Sequence, residues 1–240
     1  ASFSTFGPEL GQHLPMNADD HRPRVAAERR ERMRARLLEC ALSLAGDKGP
    51  ERLSIDDVIA AAGVSRGTFY KYFDSPDSLV QALAIEVTDA VIRTLHPKVE
   101  RLDDLADRMA TGVRTTLRLV RAHPVLGAFM VRAGWPASER TQQFFVVVGA
   151  DLRKGIRQGR FARMHGEVAI NLLAGLMVGA MHSITRERVP RDFPEQVAAT
   201  LLRALGLPEQ EVALLATRPL AMPVIESETL LWRLIQGRDA

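Results

Sequence analysis

Residues 54–73 read SIDDVIAAAGVSRGTFYKYF. Two short helices joined by a tight turn are written into the order of these residues. Ser54 is placed to cap a first helix. Asp57 follows three residues on, where a carboxylate suits the positive end of the helix dipole. Ile55, Val58, Ile59 and Ala62 recur at helical spacing and form an apolar face. Gly63 comes next, and a glycine takes the left-handed backbone that ends a helix without steric cost. Val64 is expected to tuck inward, and Ser65 to cap a second helix over residues 66–73. At 100° per residue, Phe69 and Phe73 share the inward side. Gly67, Thr68 and Lys71 cluster opposite them, flanked by Tyr70 and Tyr72.

That outer surface offers a small residue, a hydroxyl, an ammonium and two phenols. These suit close approach, base-edge or methyl contact, and phosphate contact. A helix–turn–helix of this kind lays one helix in the major groove, so DNA binding is the leading expectation. A basic arm lies just upstream. Arg22, Arg24, Arg29, Arg30, Arg32, Arg34 and Arg36 are opposed there only by Glu28 and Glu31, in a chain whose net charge is only +3. Such a concentration draws phosphates by its field and by counterion release. An isolated run of this type is usually a solvated helix face. Adjacency to the reading unit is what points to phosphate or minor-groove contact, with Arg29 and Arg30 as candidates.

From about Arg29 to Leu83 the chain resembles the N-terminal domain of the TetR/AcrR transcriptional regulators, most specifically in AAGVSRGTFYKYF. The resemblance implies an all-α fold. An N-terminal three-helix domain would carry the helix–turn–helix, and a divergent C-terminal helical bundle would bind a small effector and form a homodimer. It also implies that Ser65, Arg66, Gly67, Thr68, Tyr70, Lys71 and Tyr72 face DNA, and Ser54 joins them as a candidate contact. Two positions depart from the family pattern. Ile59 stands where alanine is common. Pro76 stands where many members carry a lysine, which puts one phosphate contact in doubt. Ser75-Pro76-Asp77 remains a sound helix start.

Composition sets wider bounds. With 240 residues, 46% of them hydrophobic, the chain can bury one large or two modest cores. Its one cysteine, Cys40, excludes an intramolecular disulfide and suits a reducing, cytoplasmic setting. Cys40 falls with Leu37 and Leu44 on an inner helix face, as a structural thiol would. No secretory signal pattern opens the chain. The uncharged stretch Val168–Thr185 approaches the length of a membrane span, but it carries Asn171, His182, Ser183 and Thr185 and reads better as a helix buried all round. Histidines at 13, 21, 96, 123, 165 and 182 form no HxxxH pattern, and neither CxxC nor GxSxG occurs. No catalytic residue, metal site or cofactor is therefore expected.

The organisation expected is a flexible leader over 1–22, a DNA-binding domain over 23–75, a ligand-binding and dimerisation domain over 76–208, and a helical extension over 209–240. Helices are expected over 26–45, from 76 to a stop at His96-Pro97, from about Leu102 to His123-Pro124, and over 125–133. Further helices are expected from a Ser138 cap to Gly159, then over 167–188, 194–205, 209–217 and 227–236. Gly175 and Gly179 are four apart, a spacing that lets another backbone approach. By the resemblance, Leu172, Gly175, Gly179, Val197 and Leu201 face a second copy of the chain. Phe129, Trp135, Phe144, Met177 and Met181 are the bulky or adaptable candidates for a largely apolar effector pocket, with Arg132 and Asn171 as polar anchors. Taken singly, each reads more readily as core than as a ligand contact. The reading that results is a repressor on a roughly palindromic operator, released by a small molecule. The alternative is a sequestering protein on the same fold that no longer binds DNA.

Overall fold

The computed structural model describes residues 21–49, 52–132, 143–227 and 229–236. Trp135 and Ser138 lie outside them. The chain divides into two compact units, one up to Arg36 and one from Leu37 onward. Every regular element among the described residues is helical.

Helix α1 (His21–Lys48) begins earlier and ends later than expected. Gly46 does not stop it, because that position is buried inside the helix. The end comes at Gly49, whose φ of 83° only glycine adopts cheaply. Up to Arg36 the helix is solvated. Arg24 bonds Glu28 at 3.3 Å, Arg34 lies 3.9 Å from Glu31, and Arg29 and Arg30 are exposed.

From Leu37 onward a small cluster comes first. The remainder of α1 buries Leu37, Ala41 and Ala45. Helices α2 (Ile55–Ala62) and α3 (Arg66–Phe69) add Val58, Ala62 and Phe69, all fully enclosed. Helix α4 (Pro76–Val99) starts with a reciprocal cap in which Ser75 and Ser78 each accept from the other's backbone N–H at 3.1 Å. It runs through Pro97, where a stop was expected. A proline in the last turn forfeits only one backbone bond, and the Glu100 N–H still reaches the His96 carbonyl at 2.8 Å.

Helix α5 (Leu105–Ala122) is the axis of the larger bundle, packed by α6 (Pro124–Arg132), α8 (Gly166–Arg186) and α9 (Phe193–Ala204). Leu102 lies before α5, because Asp104 caps it by accepting the Ala106 N–H at 3.2 Å. Between α6 and α8, a π-helical turn (Phe144–Val148) leads into α7 (Gly149–Arg157). Helix α5 buries charge as well as carbon. Arg114, 2% exposed, donates to Glu195 at 3.1 Å, and Arg118 reaches the same oxygen at 2.6 Å. A buried ion set of this kind costs desolvation, which its hydrogen bonds offset.

The extension is docked. Helix α10 (Glu209–Thr217) packs on α9 and α5. Arg218 pairs with buried Asp107, and Lys98 donates to the Met222 carbonyl at 3.3 Å. Helix α11 (Leu230–Gln236) then sets Leu231 and Leu234, at 1% and 0% exposure, against α4 and α6, while Arg233 comes within 3.9 Å of Glu39 on α1.

Helix α8 passes a length-and-composition test for a membrane span. Within this chain it is two-faced rather than buried all round. Ala169, Ile170, Leu173, Ala174, Ala180 and Met181 point inward, while Val168, Asn171, Gly175, Gly179 and His182 are exposed.

Candidate nucleic-acid interface and effector cavity

The reading unit is built by short-range bonds. The Ser54 hydroxyl accepts the Asp57 N–H at 3.1 Å and lies 2.8 Å from its carboxylate. Gly63 sits at φ 63°, ψ 38°, and the Val64 N–H turns back to the Ile59 carbonyl at 3.0 Å. Ser65 accepts the Thr68 N–H at 3.1 Å, and the two hydroxyls are 3.0 Å apart.

Helix α3 is shorter than the expected 66–73. After Phe69 the backbone tightens: the Lys71 and Tyr72 N–H groups bond three residues back, at 3.1 and 2.9 Å. The inward pair holds, since Phe69 is 0% and Phe73 4% exposed with ring centroids 5.8 Å apart.

The outward candidates separate by environment. Ser54, Ser65, Arg66, Gly67, Tyr70 and Lys71 are exposed, and Thr68 is half-exposed. Tyr72 is half-buried and packs on the core, so less of its ring is available. Arg66 is engaged across the turn, its guanidinium 2.5 Å from the Asp56 carboxylate, which raises its pKa. The Lys71 side chain has no ion-pair or hydrogen-bond partner among the described residues, so its charge is uncompensated at the tip. Sequence spacing gave no sign of the Arg66–Asp56 pair, which spans two helices.

Helices α4, α5 and α8 and the π-helical turn enclose a cavity of about 150 Å³. Helix α4 supplies Thr88, Val91, Ile92 and Leu95 to its wall, and α5 supplies Met109, Val113 and Thr116. Phe144, Val147 and Val148 of the π-helical turn, with Leu173, Met177 and Met181 of α8, complete the apolar part. One end is polar, with His96, Arg108 and Asp151. Arg108 donates to Asp151 at 3.2 Å and to the Leu102 and Glu100 carbonyls at 2.7 and 2.8 Å, so most of its donors are spent. The π-helical turn is tied to α4 just outside the lining: the Gln143 N–H donates to the Asp89 carboxylate at 3.0 Å, and burial pushes that carboxyl up from its usual range.

Of the effector candidates, Phe144, Met177 and Met181 meet in this cavity. Phe129 does not line it; it is 0% exposed and serves as core. Arg132 is exposed and pairs with Asp77 at 2.9 Å, and Asn171 sits on the outer face of α8. Neither is a polar anchor for the cavity, because each side chain is on the wrong side of its helix. Arg108, Asp151 and Thr116 were missed. Polar residues on an amphipathic helix read as surface until the packing partner is known. Among the dimer candidates, Leu172 is half-exposed, and Gly175 and Gly179 are exposed. Val197 and Leu201 are buried at 6% and 0%, inside this chain's own core. Helix α9 presents Gln196, Thr200 and Arg203 outward instead.

Two family models match the two parts of the chain. "Bacterial regulatory proteins, tetR family" covers residues 37–83, and "Tetracyclin repressor-like, C-terminal domain" covers 104–218. The chain belongs to the TetR family. Helices α2 and α3, with the turn between them, fall inside the first of these models. The HTH-type transcriptional regulator Rv1255c of Mycobacterium tuberculosis (strain ATCC 25618 / H37Rv) is 33% identical over 105 residues, 44% of this chain. The chain spans only about half, 52%, of that relative's length. RolR solved with resorcinol is 27% identical, with TM-score 0.74, covering 82% of this chain and all of the RolR chain. A TetR-family regulator from Pectobacterium atrosepticum, 23% identical, shares the fold at TM-score 0.57, covering 74% of this chain and 94% of that one. Residues 219–240 of this TetR-family chain lie beyond both family models.

Proposed function

We propose that this TetR-family chain is a repressor that grips a roughly palindromic operator as a homodimer and lets go when a small, largely apolar effector fills the cavity. The observation that carries the reading is the double duty of α4. It follows directly from the reading unit at Pro76, and further along its side chains become one wall of the cavity. A ligand that changes the seat of Val91 or Leu95 therefore acts on the helix that carries the DNA-reading end.

Two further features support it. A cavity of about 150 Å³ is the size that takes one aromatic ring. RolR, the 27% identical relative, was solved with the single-ring diphenol resorcinol. The outward stripe of α8, with Val168, Leu172, Gly175 and Gly179, suits close approach by its own copy. In that dimer the two reading units sit roughly 34 Å apart, one turn of DNA, or a multiple of it. The effector shifts DNA affinity only through its different affinity for the two dimer states, typically ~1–3 kcal/mol of coupling.

The test is a mobility shift on the DNA upstream of the protein's own gene, at several salt concentrations, with and without resorcinol. A shifted band that weakens with salt and dissolves with ligand is the expected result. No shift at low salt, with ligand binding intact, replaces the repressor by a sequestering protein.

A further inference from the structure

Thr116 is the odd group in the cavity wall. Its residue is only 8% exposed, and it lines the cavity among carbon side chains. Helical threonines commonly return their hydroxyl to the carbonyl four residues back. Thr88, Thr115 and Thr185 all do so here, at 2.9, 2.7 and 3.0 Å. Thr116 does not, and its hydroxyl makes no hydrogen bond among the described residues. No buried side-chain polar atom among the described residues lacks a partner, so the Thr116 oxygen is not sealed in protein but faces the open space of the cavity. A chain that places this one on a cavity wall, beside a threonine that satisfies itself, has left a hydrogen-bonding position open to whatever occupies the space.

We propose that Thr116 is the polar anchor of the effector, and that the effector is neutral, with a hydroxyl or carbonyl on a single ring. This rests on the cavity being the effector site. A threonine hydroxyl both donates and accepts, so it serves either group. It does not serve an ion. The one arginine among the lining residues, Arg108, stands eight positions, about 12 Å, back along the same helix, and no lysine lines the cavity. Its guanidinium is already held by Asp151 and two carbonyls. A carboxylate at Thr116 would lose its hydration for a single neutral hydrogen bond, which does not offset the burial of the charge.

Phenol, toluene and benzoate share one ring and differ only in the group offered to Thr116, so the full-length chain is titrated with each by calorimetry. Wild type is expected to prefer phenol to both others. Thr116→Val keeps the shape and removes the hydroxyl. It is expected to weaken phenol about tenfold and leave toluene unchanged, while Thr116→Ser holds phenol within about threefold. Without ligand, Thr116→Val is expected to melt within about two degrees of wild type, since the hydroxyl bonds no other group of the protein and the shape is kept. A Val variant that melts several degrees lower, or that keeps its phenol affinity, overturns the assignment, as does a preference for benzoate. Toluene bound as tightly as phenol removes the anchor but leaves the cavity as the effector site. Failure of all three ligands on wild type removes both.

Discussion

Lys71 offers the sharpest test of the DNA-reading surface, because its role can be measured without knowing the operator. It is exposed at the tip of the unit and unpaired, and it belongs to no core contact, so Lys71→Ala leaves folding intact. Each lysine that meets a phosphate releases counterions and contributes about 0.9 to the slope of log affinity against log salt. Two copies in a homodimer give about 1.8. Between 50 and 200 mM salt, a fourfold change, the variant should lose roughly twelvefold less affinity than wild type. Fluorescence anisotropy with any labelled duplex of about 30 base pairs reads this. Arg66→Ala is the internal control. Its guanidinium is committed to Asp56 at 2.5 Å, so it neutralises less phosphate charge and its slope change should be less than half as large. An unchanged slope for Lys71→Ala with an unchanged melting curve refutes the facing assigned to residues 66–72. A larger effect at Arg66 than at Lys71 means that the ion pair opens on DNA.

Three other substitutions probe the scaffold. Gly63→Ala forces a side chain onto a φ of 63° and should cost roughly 1 kcal/mol, read as a lower urea midpoint with DNA binding weakened alongside. Leu234→Ala empties a fully buried site in the docked extension and should cost about 3 kcal/mol if α11 is part of the cooperative fold; a change below about 0.5 kcal/mol would make the extension an independent appendage. Asp104 is held below the usual carboxylate range, first by its hydrogen bonds with Arg160 at 2.6 and 2.7 Å. A depressed folded-state pKa gives stability that is present above the unfolded value and lost as pH falls through the folded one. Asp104→Asn should therefore lower stability at neutral pH and flatten the acid limb of a melting-temperature profile, and a parallel profile would remove the Arg160 pair from the balance.

The sequence by itself determined the reading unit and the helical class. The caps at Ser54, Ser65 and Ser75 and the turn at Gly63 are made by bonds that span three to five residues, so local order suffices to read them. Phe69 and Phe73 point inward because helical periodicity alone puts them on one side. The same local logic overshot at His96-Pro97 and Gly46, where backbone bonds and burial carried the helices past residues that usually stop them. Only the tertiary structure decided what each apolar face covers. Periodicity marks Val197, Leu201 and the α8 residues as apolar. It does not say that α9 turns Val197 and Leu201 into its own chain while α8 leaves Gly175 and Gly179 outside. The cavity is the extreme case. Its wall joins positions from 88 to 181, and its chemistry depends on Thr116 and on the Arg108–Asp151 pair. These are ordinary helix polar residues until packing of distant segments sets them on one cavity wall, and the free energy of that packing is not encoded in any single stretch of chain.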